Sequence, residues 1–246
     1  DLETILTELS LSDLAVAEKR VRKLDEGLRK GSQEERDKHL QEKEVLEGIA
    51  AALSDGRPVR SLELHPEERV LLRGYGFLSQ KPVLVLANIG DLTHDVEQQR
   101  LKDLGAHCDP LSLRWLSLNG DLECELRRIE DPTEQEEFME AMGITEYAAG
   151  PIIHATYDVT RSMTFFTGNE HEVRAWTLPE GSRAIDAAAK VHTDMARGFI
   201  RAEVVPYESL IQAGSFAHAR EAGHYREEGK DAIVHDGEVI HFRFSV

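Results

Sequence analysis

The sequence predicts a multidomain protein of mixed α/β and α+β class: a helical coiled-coil hairpin, a parallel α/β unit and a small ubiquitin-like β-grasp. Three observations carry this. Apolar residues near the start recur in steps of three and four, the middle reads strand, helix, strand, helix, and the end reads strand, strand, helix, strand and closing strands.

In the first segment Leu14, Ala17, Val21, Leu24 and Leu28 form a coiled-coil seam that Gly31-Ser32 interrupts. Leu46, Ile49 and Leu53 continue the spacing until Asp55-Gly56-Arg57-Pro58 stops it, so two helices fold back as an antiparallel hairpin. A third helix begins near Pro66, which suits a first helical position, and runs through Val70, Leu71 and Leu72.

Between residues 81 and 130 the order is PVLVLAN, a helix over about 96–104, LSLRWLSL and LECELRRI. This βαβα order is that of a parallel sheet, and two strands are too few for a stable doubly wound sheet, so other strands are expected to precede Asp1. A further helix covers 134–144, and Gly150-Pro151 opens a segment leading into the last unit. There MTFFTGNEHEVRAWTL places two β-rich arms around Gly168-Asn169. A helix over 184–195, the strand FIRAEVV, a helix around 207–222 and DAIVHDGEVIHFRFSV with its tight Asp236-Gly237 turn complete the β-grasp order.

The 246 residues are 41% hydrophobic and 30% charged, which provides for one or two cores in two to three units and excludes disorder by composition. A net charge of -17 argues against general attraction to DNA or to a membrane, so any RNA contact has to come from a local basic face. The absence of a bilayer-length apolar run predicts a soluble protein. Cys108 and Cys124, with no CxxC spacing, read as reduced thiols of a cytoplasmic protein, and the histidines lack the spacing of a metal site.

The run KPVLVLANIGDL, residues 81–92, ends a buried strand on Asn88 and Asp91, where open α/β sheets place ligand contacts. Guanine-nucleotide hydrolases grip the base with an Asn-Lys-x-Asp loop at such a place. The phosphate-cradling pattern G-x-x-x-x-G-K-[ST] that must accompany it is absent, and Gly229-Lys230 has the wrong flanks. A plain strand-end turn is the alternative for Asn88 and Asp91.

Three segments in order, DLETILTELSLSDLAVAEKR, PVLVLANIGD and HEVRAWTLPEGSRAIDAAAKVHTDMARGFIRAEVVPYESL with EEGKDAIVHDGEVIHFRF, resemble the Obg-like ATPases, the YchF family. The resemblance implies a coiled-coil insertion over 1–75, the carboxyl-terminal half of a P-loop G domain over 76–160, and a TGS domain of β-grasp fold over 161–246. It implies a hydrolase of ATP, with GTP as the alternative, associated with ribosomes or ribosomal RNA and expected to be a monomer. The phosphate loop and the Mg2+ ligands would precede Asp1, so this stretch alone is expected to be inactive and no catalytic residue is assigned.

In the resemblance, Asn88 bonds the base edge or braces the loop, and Ile89 lays an apolar side chain on the base. Asp91 stands where the family usually has a glutamate that accompanies adenine preference, which leaves ATP against GTP open. Ser117 and Leu118 fall where a second base contact is made through backbone N–H groups. Lys190, His192, Arg197 and Arg201, in the run KVHTDMARGFIR, form a candidate RNA- or ribosome-contacting patch, with a solvated face of mixed charge as the alternative. A non-enzymatic ribosome- or RNA-binding module of coiled coil and TGS domain is the competing reading of the whole chain.

Overall fold

The computed structural model describes residues 2–28, 32–90, 94–168 and 172–245. Gly31, Asp91 and Asn169, each used in the sequence reading, lie outside the described residues. The chain forms two compact units, Asp1–Val83 and Leu84–Val246.

The first unit is built on a long helical hairpin, α1 (Leu2–Leu28) and α2 (Gln33–Ser54). Ser32 caps α2: its Oγ accepts the Glu35 N–H at 3.4 Å while the Glu35 carboxylate accepts the Ser32 N–H at 2.8 Å, satisfying two otherwise orphaned donors. The helices run antiparallel, since Arg20 meets Glu42 at 2.7 Å, Asp25 meets Lys43 at 2.6 Å, and Gly27 lies against the His39 ring. The predicted seam is the core: Ala17, Leu24, Leu46, Ile49 and Leu53 are buried together with Val59, Leu72 and Phe77. Gly56, at φ +75°, ends α2 in the left-handed region. A 3-10 turn (Val59–Ser61) and α3 (Pro66–Leu72) follow, with Pro66 in the first turn as expected.

The second unit opens with β1 (Leu84–Asn88), α4 (His94–Cys108) and β2 (Arg114–Leu118), the two strands pairing in parallel from Leu84↔Arg114 to Asn88↔Leu118. β2 starts later than its apolar run because Asp109–Leu111 forms a 3-10 turn closed by Ser112 at φ 53°. Then come α5 (Gly120–Leu126), α6 (Pro132–Ala141) and α7 (Ala149–Thr160). α7 was expected only as an opening segment. Gly150-Pro151 falls in its first turn, where a missing N–H costs nothing.

A five-stranded sheet completes the unit: β3 (Ser162–Gly168), β4 (Val173–Pro179), β5 (Phe199–Pro206), β6 (Arg226–Glu228) and β7 (Glu238–Phe244), in the order β4-β3-β7-β5-β6. β3 and β7 are parallel neighbours at its centre, and the other pairings are antiparallel. α8 (Ala184–Val191) contributes Ala184, Ala187 and Ala188 to the core, against Phe165, Val204, Ile240 and Phe242 of the sheet.

The helix expected over 184–195 breaks at His192, which is extended (φ -161°, ψ 141°), and resumes as α9 (Thr193–Arg197). The one expected around 207–222 is divided by Gly214 at φ +73° into α10 (Tyr207–Ala213) and α11 (Phe216–Glu221). The DAIV segment makes only an isolated bridge, Arg183 to Ile233, and β6 is a short strand that the sequence reading passed over.

Candidate nucleotide-base site

β1 and β2 end side by side, and their following loops are tied to each other by side-chain amides. The exposed Asn88 accepts the Gly120 N–H on Oδ1 at 3.0 Å. From the other loop, Asn119 donates Nδ2 to the Gly90 carbonyl at 3.1 Å and accepts the Leu122 N–H on Oδ1 at 3.1 Å, capping α5. Ile89 N–H donates to Leu118 O at 3.0 Å, extending the ladder by one bond. Gly90 has φ +56°, a conformation that a side chain disfavours. Gly120 is constrained differently: a Cβ there would come 3.1 Å from Asn88 Nδ2.

This geometry assigns Asn88 a bracing contact, one of the two roles the sequence offered. Ile89 is half-buried. Ser117 and Leu118 belong to β2, with Ser117 exposed; Leu118 meets the β1 loop through its carbonyl, and Asn119 and Gly120, one and two positions further on, reach it as well. Sequence reasoning missed these two. The signal was present, since an Asn directly before an apolar-periodic run is a helix-cap pattern.

Beside β2, a cleft of about 250 Å³ is lined by Leu116, Ser117, Leu118, Asn119 and Leu122, with α7's start opposite. Glu123 holds that start by accepting the Ala148 N–H at 2.8 Å.

The basic residues of the last unit are placed less simply than their sequence proximity suggests. Lys190 is exposed in the last turn of α8. His192 caps α9, with Nδ1 accepting the Asp194 N–H at 3.2 Å. Arg197 pairs with Asp194 at 2.8 Å, and Arg201, on β5, pairs with Glu203 at 3.2 Å and Glu227 at 3.6 Å. The two arginines therefore already face carboxylates. Among the described residues no group of three or more His, Cys, Asp or Glu side chains could hold a metal ion, and no helix is long and apolar enough to cross a membrane.

Comparison with known proteins points in one direction. Residues 163–245 match the family model YchF-GTPase_C, described as a protein of unknown function (DUF933). The whole chain is 36% identical to a Pasteurella multocida protein and 35% identical to one from Bacillus subtilis, both named ribosome-binding ATPase YchF; it spans 66% of the length of each. The structure of the Schizosaccharomyces pombe YchF GTPase superimposes over 99% of this chain and 65% of its own with a TM-score of 0.85 at 24% identity, which establishes the shared fold. On this similarity, continuous from the helical hairpin to the last strand, the chain belongs to the YchF family of Obg-like ATPases.

Proposed function

We propose that the chain is part of a nucleotide hydrolase that acts on ATP, with GTP as the alternative substrate, and works in the cytoplasm in association with ribosomes. The observation that carries this reading is the similarity of the whole chain to proteins named ribosome-binding ATPases. The paired loops after β1 and β2 support it, because they form a braced platform at the strand ends, where parallel α/β sheets bind ligands.

In this reading the base lies on the loop Asn88-Ile89-Gly90-Asp91. Ile89 offers an apolar surface, Asn88 holds the loop against Gly120, and the Asp91 carboxylate accepts N–H groups from the base edge. Ser117 and Leu118 offer the second base contact, with Asn119 and Gly120 bracing the loop beside them. Mg2+ and the phosphates would be held by a phosphate loop, a pattern these 246 residues do not contain, and would supply the positioning and charge neutralisation that phosphoryl transfer needs.

Residues 1–75 are the coiled-coil insertion, 76–160 the carboxyl-terminal half of the G domain and 161–246 a TGS domain. The strand order β4-β3-β7-β5-β6, with α8 packed across one face, is what a β-grasp requires. If RNA phosphates meet the Lys190, His192, Arg197 and Arg201 patch, they compete with Asp194, Glu203 and Glu227 for the arginines. Lys190, with no ion pair among the described residues, is then the first contact.

The test is calorimetric titration with ATP and GTP in Mg2+, of this chain and of the polypeptide extended by a phosphate-loop segment. Binding and turnover are expected in the extended form alone. In that form Asp91→Asn weakens GTP selectively by about 1–3 kcal/mol, the cost of leaving base donors unpaired, and Asp91→Glu moves preference toward ATP. Ribosome binding without nucleotide binding by the extended form would leave the non-enzymatic module as the function.

A further inference from the structure

The first unit contains a groove that the helical hairpin does not need for its own packing. It has a volume of about 500 Å³ and lies between Glu44, Val45 and Gly48 of α2 and the stretch Leu62, Leu64 and Glu67 that leads into α3. Val45, Leu62 and Leu64 are half-buried and give it an apolar floor, joined to the core beneath. Its volume falls within the range of ordinary ligand and peptide pockets.

Gly48 is the informative residue. A glycine inside a helix weakens it relative to alanine, because the backbone loses more freedom on folding. Such a residue is usually explained by a close neighbour, as Gly27 is, where a Cβ would sit 3.3 Å from the His39 ring. At Gly48 a Cβ would meet nothing within 4 Å. Among the described residues no neighbour occupies the space a side chain would take, so the helix backbone at Gly48 is open to whatever lies in the groove.

The rim indicates what kind of ligand. Glu44, Glu63 and Glu67 are exposed and make no ion pair among the described residues. Nearby carboxylates are engaged, Glu47 with Lys43 at 3.4 Å and Glu68 with the His65 N–H at 2.7 Å. Arg69, on α3, donates Nε to the Leu64 carbonyl at 3.1 Å and pairs with none of the three glutamates among the described residues. An apolar floor under an unpaired acidic rim is complementary to apolar anchors flanked by positive charge.

We propose that this groove is a docking site for a segment of a partner protein that presents leucine-like anchors between lysines or arginines, with its backbone or a small side chain against Gly48.

The experiment uses the full chain and fluorescence anisotropy with a labelled peptide of two leucines flanked by four lysines, alongside its glutamate counterpart. The lysine peptide is expected to bind, more weakly as salt rises, and the glutamate peptide to show no binding. Gly48→Leu, which changes no charge and fills the groove, is expected to lower affinity at least tenfold while the melting temperature stays level or rises. A lowered melt would transfer the decision to Glu44→Gln combined with Glu63→Gln and Glu67→Gln, which is expected to cost at least fivefold in affinity and to flatten the salt dependence. The proposal is overturned by any of four outcomes: no binding of the lysine peptide, equal binding of both peptides, unchanged affinity in the variant that decides, or self-association of the chain in sedimentation velocity that Gly48→Leu abolishes. The last would assign the groove to a second copy.

Discussion

Replacement of Asp13 by alanine tests a buried polar contact of the helical unit. Asp13 lies on α1 and is 3% exposed, and its carboxylate accepts the Leu78 N–H at 2.9 Å and the Ser79 N–H at 2.6 Å. Ser79, 1% exposed, accepts the Val59 N–H on Oγ at 3.3 Å and the Arg60 N–H on its carbonyl at 3.0 Å. One carboxylate thus anchors the segment that inserts Phe77 into the core. Asp13→Ala strands two donors, each costing about 1–3 kcal/mol when buried without a partner. Leu78 is partly exposed and its N–H can recover water, so it takes the low end; Ser79 takes the high end. The expected loss is about 2–4 kcal/mol. Because two compact units need not unfold together, the cleaner assay is native-state amide exchange at Leu78 and Ser79, supported by urea unfolding. Asp13→Asn keeps one acceptor and is expected to lose about half as much. Asp25→Ala, which breaks the more exposed pair with Lys43, costs no more than about 1 kcal/mol. Unchanged exchange at Ser79 in Asp13→Ala, or a loss no larger than that of Asp25→Ala, refutes the reasoning.

Glu203, buried on β5, is held below the ordinary carboxyl range chiefly by its hydrogen bond from Arg243, at 2.9 Å, with Arg201 adding to it. The stability it contributes is complete above the unfolded value and is lost as pH falls through the lower folded one, so Glu203→Gln flattens the fall in melting temperature below about pH 4.3. At pH 7 the same change costs about 1–2 kcal/mol, the low end for charged hydrogen bonds because both arginines are about half exposed. Gly198→Ala places a Cβ 1.9 Å from Ser245 O and destabilises the β5–β7 end of the sheet by about 1–3 kcal/mol, read from a thermal melt. Asn88→Ala leaves the melt within about 1 kcal/mol, since the pair it breaks is exposed, but raises amide exchange at Gly120, whereas Leu122, held by Asn119, keeps its protection.

Where a segment's structure follows from its own residues, the sequence could be read directly. Leu14, Ala17, Val21, Leu24 and Leu28 needed no distant partner to announce a helix, while Ser32, read only as part of the interruption, turns out to cap the next helix with Glu35. The errors arose where backbone conformation at one residue decides. His192 leaves the helical region within a continuous apolar pattern, and its imidazole caps the next helix, which periodicity cannot show. Gly214, at φ +73°, divides the helix expected around 207–222, and the apolar residues on either side of it do not show the break. α7 was overlooked because Gly150-Pro151 suggests a loop, although a proline in the first helical turn sacrifices no internal hydrogen bond.

The candidate site divides in the same way. The apolar run that ends at Asn88 locates the strand end, because a strand stops where polar loop residues begin, although the strand expected to be buried is only half-buried and leaves Leu86 exposed. Which residue of the next loop reaches it depends on the register of two strands separated by a helix, and Asn88↔Leu118 pairing is a tertiary fact. That register puts the ladder's last rung at Leu118, where the sequence reading ended the strand, and the next two residues, Asn119 and Gly120, bond across to the β1 loop. Gly120 then needs its missing Cβ to admit the Asn88 amide, and Asn119 spends one end of its side chain on the α5 cap and the other on Gly90. Each amide serves the loop opposite its own, so the two loops hold each other in place before any ligand is present.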